Sequence, residues 1–122
     1  MEKVTLADAF ASMGEAWNPR LAGELNGQAV KLARAEGEFV WHSHADADEL
    51  FLVTDGRLRI EFRERDDAVL EAGELIVVPR GTEHRPIAEP EADVLLFEPA
   101  GTRNTGDVEN DLTREELDPV DD

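Results

Sequence analysis

The chain has 122 residues, a formal net charge of -17 and no cysteine. Its length fits one domain with one core, its charge disfavours nucleic acid and anionic membranes, which need clustered Lys or Arg, and the lack of thiols excludes disulfides and thiolate metal sites. No run approaches the roughly 20 apolar residues of a membrane-spanning helix, and Met1-Glu2-Lys3-Val4-Thr5 lacks the basic start and apolar stretch of a secretory signal, so the expected location is the cytoplasm.

In chain order, Thr5 to Met13 reads as a short helix with Thr5 as N-cap, Asp8 three residues on, and Leu6, Ala9, Phe10 and Met13 on one face. From Glu24 onward the pattern changes to short strands separated by turn residues. They are expected near Gln28–Arg34, Glu38–His42, Glu49–Thr54, Arg57–Arg63, Ala68–Leu70, Leu75–Val78, Glu83–Ile87 and Asp93–Phe97, a spacing that suits a sandwich or barrel. Asp55-Gly56 is a hairpin signal, and Leu58, Ile60 and Phe62 alternate with charged residues as in a half-buried strand. Gly73 and Gly81 mark two more turns. The acidic segment from Thr102 to Asp122 is expected to be loop-like, apart from a turn of helix at Thr113–Leu117.

The chemistry concentrates in two places. In a strand, residues two apart point to the same face, so His42 and His44 can both enter a barrel and grip one ion. Glu49 opens the next strand and can return a carboxylate to the same depth. Farther on, a strand leads through Pro79-Arg80-Gly81 to His84, the fourth candidate ligand. A lone histidine is usually an ordinary surface or core residue, but all three histidines of this chain fall in this one arrangement. Three imidazoles and one carboxylate suit one divalent transition metal per chain, Fe, Mn, Ni, Cu or Zn, with positions left for water or substrate. Asp46 and Asp48 read as solvated turn residues. Arg80 and Arg85 flank the second place and are candidate holders of an anionic substrate, although surface charge is the commoner role of a strand-end arginine.

These residues resemble the cupin superfamily, whose first motif runs glycine, H-x-H, glutamate, glycine, here GEFVWHSHADADELFLVTDG from Gly37 to Gly56. The second, a glycine followed by P-x-G and a histidine, is matched by GELIVVPRGTEH from Gly73 to His84. Two departures stand out: only four residues separate Gly37 from His42 where the family usually has five, and Ala88 stands where the second motif often ends in asparagine. The resemblance covers about Gln28 to Pro99. It implies an all-β fold, a cupin-type double-stranded β-helix (jelly-roll) barrel with a short N-terminal helix, and metal ligands at His42, His44, Glu49 and His84. The narrower likeness is to small single-domain cupins of the mannose-6-phosphate isomerase-like kind.

The expected organisation is therefore a helix and arm over residues 1–27, a barrel over 28–101 and an acidic tail over 102–122. If His42 points inward, strand alternation sends Phe39 and Trp41 outward, where the N-terminal helix or a second copy of the chain would cover them; a homodimer is expected. Cupins host many reactions. The first reading is a metal-dependent enzyme, an oxygenase or isomerase, acting on a small anionic or sugar-like molecule; the alternative is a non-catalytic binder or sensor of a small molecule in the same pocket. With 29 acidic residues against 12 basic ones, of which only Lys3 and Lys31 are lysines, the surface also resembles that of proteins from salt-loving organisms, the bland alternative being an ordinary solvated acidic surface.

Overall fold

A computed structural model describes residues 1–120; Asp121 and Asp122, the end of the predicted tail, lie outside the described residues. One short helix, α1 (Leu6–Ser12), precedes six strands: β1 (Arg20–Leu25), β2 (Gln28–Glu38), β3 (Glu49–Phe62), β4 (Ala68–Glu71), β5 (Leu75–Val78) and β6 (His84–Pro99). All pairings between named strands are antiparallel, in the order β1-β2-β6-β3-β4, with β5 also on β3. The fold is all-β, the expected jelly-roll with its short N-terminal helix.

The long strands β3 and β6 carry the shape. Where the sequence predicts two strands joined by an Asp55-Gly56 hairpin, β3 runs through without reversing, because β6 continues beside it on both sides of the glycine. The register slips between Val53 and Asp55 and again between Gly56 and Leu58, and such bulges bend a ladder instead of ending it. Gly56 has φ 85°, and a Cβ there would fall on Glu91 O and within 2.8 Å of Ala92 Cα. The strands expected at Glu83–Ile87 and Asp93–Phe97 merge in the same way into β6. The first half of β3 pairs with β5 (Leu52 with Leu75) and the second half with β4 (Ile60 with Ala68), so the ladder folds over and buries its inner face: Phe51, Val53, Leu58, Ile60, Leu70, Val78 and Val94.

β2 is covered on both faces. Leu32 and the neighbouring Leu95 lie under α1, packed with Ala9, Phe10 and Met13, while Lys31, Ala33 and Ala35 face the barrel interior. The helix forms one residue inside its predicted limits at each end, and Thr5 makes no side-chain capping bond; packing of the apolar face holds it.

Three further expectations fail. β1 forms within the segment expected to be an arm, because Leu25 and Gln28 are joined by Asn26-Gly27, both at positive φ as a tight hairpin turn requires. The segment expected as a strand at Glu38–His42 is irregular beyond Glu38, contributing one isolated bridge between His42 and His84. The acidic tail, as far as it is described, is packed rather than loose: Thr105 is fully buried and bonded to Val108 O and Thr113 Oγ1, and Leu21 exchanges backbone hydrogen bonds with Asp118 and Val120. No helix forms at Thr113–Leu117; the Asn110 carboxamide and the Asn104 carboxamide take up the amides of Leu112 and Arg114 in turns.

Candidate metal centre

His42, His44, Glu49 and His84 are all buried, and one donor atom from each lies within 4.8 Å of the others. The sheet explains how they meet. Glu49 opens β3, whereas His84 pairs with Phe62 at the other end of the β3–β6 ladder; the fold at Gly56 brings them to 3.4 Å, Nε2 to Oε1. His42 and His44 sit on the irregular segment after β2, which is stitched to the start of β6 by two backbone bonds between His42 and His84, 3.0 and 2.9 Å, and by Gly81 N to His44 O at 2.9 Å.

Two of the imidazoles are oriented by the backbone. His42 Nδ1 lies 2.9 Å from Val40 O and His84 Nδ1 2.8 Å from Thr82 O; a protonated Nδ1 donating to the carbonyl leaves each Nε2 free as a ligand atom. Burial first, then the charge of His84, lowers His42 to about 4, so it is neutral and ready to coordinate near pH 7. Burial pushes Glu49 upward, but His44 and His84, in close contact with it, together outweigh this and hold it below the usual carboxylate range. His44 Nε2, His84 Nε2 and Glu49 Oε1 are buried without any hydrogen-bond partner. Three converging, desolvated and unsatisfied donor atoms are costly unless something binds them, and a nitrogen-rich set with one anionic oxygen fits a divalent transition ion.

Beside the centre lies a cavity of about 40 Å³ lined by His42 and Glu49 and, mostly, by apolar side chains including Trp17, Phe39, Phe51, Leu58, Val94 and Leu96. Phe39 is not outward as predicted. The chain after Glu38 has left the strand, so alternation no longer applies, and the ring stacks on Trp17 (centroids 4.7 Å apart) and edges onto His42 (5.4 Å). Trp41 is half-buried, with the Arg63 guanidinium 3.8 Å from its ring centroid and that of Arg85 at 5.4 Å.

Neither candidate arginine lines this cavity. Arg80 is exposed, and its backbone and side chain bind Asp48. Arg85, next to inward-facing His84, points the other way and donates to Glu61 at 2.7 Å. The sequence reading missed two ionisable cavity residues, Lys31 and Glu98, both buried. The signal was there: Lys31, Ala33, Ala35 and Val94, Leu96, Glu98 are runs of alternate residues on two strands, and one inward member fixes the rest. A further contact was not legible. Asp107 in the tail accepts from Ser43 N at 2.9 Å and its own amide binds Ser43 O at 3.1 Å, while Gly106 lies so close that a Cβ would strike Ser43 O and the His42 ring. The tail clamps the histidine segment.

No helix of the described residues is long and apolar enough to cross a membrane. Residues 29–98 match the family described as Cupin domain. A cupin-2 domain protein from Shewanella frigidimarina superposes with a TM-score of 0.75 at 44% identity, covering 79% of this chain and 93% of that one. Hydroquinone 1,2-dioxygenase PnpCD, solved with Cd2+ and 4-hydroxybenzonitrile, shares the fold with a TM-score of 0.66 at 22% identity, over 83% of this chain and 78% of that one. Uncharacterized protein YdbB of Bacillus subtilis is 47% identical over 62 residues, 51% of this chain and 55% of that protein, so the match spans about half the length of each. With both motifs in place, the barrel folded and the family match spanning more than half its length, this chain belongs to the cupin family.

Proposed function

We propose that this cupin is a metal-dependent enzyme that acts on a small molecule in the cavity beside the three-histidine, one-glutamate centre. The observation that carries this reading is the set of buried, partnerless donor atoms on His44, His84 and Glu49, beside a cavity that His42 and Glu49 line. An ion held there would supply a Lewis acid or a centre for oxygen activation. The protein's own part is to keep His42 neutral, to aim the His42 and His84 rings, to place one carboxylate among the imidazoles, and to exclude water with Phe39, Phe51 and Leu96. The apolar lining fits a compact molecule with few polar groups better than a sugar phosphate, and Arg80 and Arg85 are engaged elsewhere.

The second reading, a non-catalytic binder or sensor, draws support from the sparse chemistry of the cavity: beyond His42 and Glu49, its only ionisable lining residues among those described are Lys31 and Glu98. Elemental analysis of protein purified from its native host tests both. About one metal per chain is expected, with iron or manganese pointing to redox or oxygen chemistry, zinc to isomerase or hydrolytic chemistry, and an empty site to binding. A sample that stays metal-free after dialysis against Fe, Mn, Ni and Zn overturns the metal assignment. We also retain the homodimer as a proposal, on a new footing. Phe39 is inside and Trp41 lies under arginines, whereas Val69, Leu75 and Val77 are exposed on β4 and β5, an apolar outer edge suited to a second copy.

A further inference from the structure

The cavity has a second polar corner. Leu50 pairs with Phe97, so the next residues along the antiparallel ladder, Glu49 and Glu98, lie side by side; Glu98 in turn faces Ala29 on β2, with Lys31 two residues along the same face. Glu98 is 1% exposed and Lys31 4%. The Lys31 ammonium donates to Thr102 O at 2.8 Å and stands 3.7 Å from Glu98 Oε2, too far for a good hydrogen bond. Glu98 Oε2 has no hydrogen-bond partner. A pair placed only to neutralise itself would close to bonding distance; this one is splayed, Glu98 Oε2 is left without a partner, and both residues line the cavity.

We propose that Lys31 and Glu98 form a recognition site for a hydroxyl group on a small, otherwise apolar and uncharged substrate of this cupin. A hydroxyl has one donor and two lone pairs, so it can accept from Lys31 and satisfy Glu98 Oε2 whichever way the carboxyl proton lies. A carboxylate ligand would only accept, and would sit against two glutamates. Size narrows the class further. The cavity measures about 40 Å³, well below the about 150 Å³ of a cavity that takes benzene, so a small hydroxylated compound is a better match than an aromatic one. Ala33 and Ala35 on β2 leave this space, and bulkier residues there would remove it. This inference rests on the cavity being the substrate site of the proposed function.

Hydroxyacetone and butanone test it, since they have equal heavy-atom counts and differ by a hydroxyl in place of a methyl group. Binding of each is titrated by protein NMR, on metal-free and on metal-loaded protein, for the parent, Lys31→Met and Glu98→Gln. The expected result is that the parent prefers hydroxyacetone by at least about tenfold, the low end for a hydrogen bond to a charged group, and that each substitution reduces the preference to within about twofold while circular dichroism and metal content stay as in the parent. If one variant fails to fold, the other carries the test. Equal binding of the two ketones by the parent, no detectable binding of either, or an undiminished preference in a folded variant overturns the proposal. The metal reading is separable: a preference present in metal-free protein that takes up no metal refutes the enzyme proposal alone, and full metal content without a preference refutes the hydroxyl site alone.

Discussion

The two faces of β2 do different work with adjacent residues. Toward α1, Leu32 is fully buried among Phe10, Met13 and Ala9, an apolar patch at whose edge Arg34 donates to Met13 O. Toward the barrel, Lys31, Ala33 and Ala35 line a cavity and face unsatisfied polar atoms. The outer face stabilises the molecule by burying large side chains; the inner face gives up packing for room and for donor atoms that lack partners. Within β2, one face thus serves packing against the helix and the other leaves room beside the candidate site.

The largest expected effect on the binding side is from His84→Ala or His42→Ala. Either should cut metal affinity by at least tenfold, since changes even to groups behind a ligand cost about 10 to 100 times, and the barrel should remain folded by circular dichroism because the core at Val53, Leu58 and Ile60 contains no ligand. If His42→Ala unfolds the metal-free chain while the metal-free parent stays folded, the division between the faces is wrong. Phe10→Ala is the reverse experiment: about 3 to 5 kcal/mol of stability lost in chemical denaturation, with metal affinity of the folded fraction changed by less than twofold.

Glu49→Gln keeps shape and loses the anion. Metal titration should show weaker binding, with a smaller loss than for a histidine replaced by Ala. Ala33→Leu sharpens the contrast within the inner face, since it should fill the cavity and abolish hydroxyacetone binding at an overpacking cost of about 1 to 3 kcal/mol, with metal binding retained. The smallest effect is expected from salt. With a net charge of -17, repulsion among surface carboxylates should be screened as the Debye length falls to about 3 Å at 1 M, raising the melting temperature most steeply over the first molar of KCl. A flat or falling curve would mean that the acidic surface does not strain the fold.

The cluster of four candidate ligands was legible in the sequence because its spacing is a local matter: two residues apart in one segment, a glutamate and a histidine at the starts of strands, turn glycines between. Leu75–Val78 was also read to the residue, since a short apolar run between Gly73 and Pro79 has few other options. What local pattern could not show was whether a glycine reverses a strand or bends it. Asp55-Gly56 has the composition of a hairpin, and only the presence of β6 alongside on both flanks makes it a bulge. Phe39 was misplaced for a related reason, because alternation was extended past Glu38, where the strand ends. The tail was misjudged by its charge; its order comes from Asn104, Thr105 and Asn110 bonding locally, which net charge does not reveal.

The fold at Gly56 acts as a lever. Thirteen residue steps separate Glu49 from Phe62, the partner of His84, and at about 3.3 Å per residue an unbent ladder would hold them roughly 40 Å apart. Glu49 lies seven steps from Gly56, an arm of roughly 23 Å, so a one-degree change in the bend would move its carboxylate by about 0.4 Å. Productive sites tolerate about 0.5 Å. Alignment to that tolerance cannot be left to one glycine, and the pairing of Glu49 with Val78 and the bond from Arg80 N to Asp48 Oδ1 act at the far end of the arm, where a small restraint has the greatest mechanical advantage.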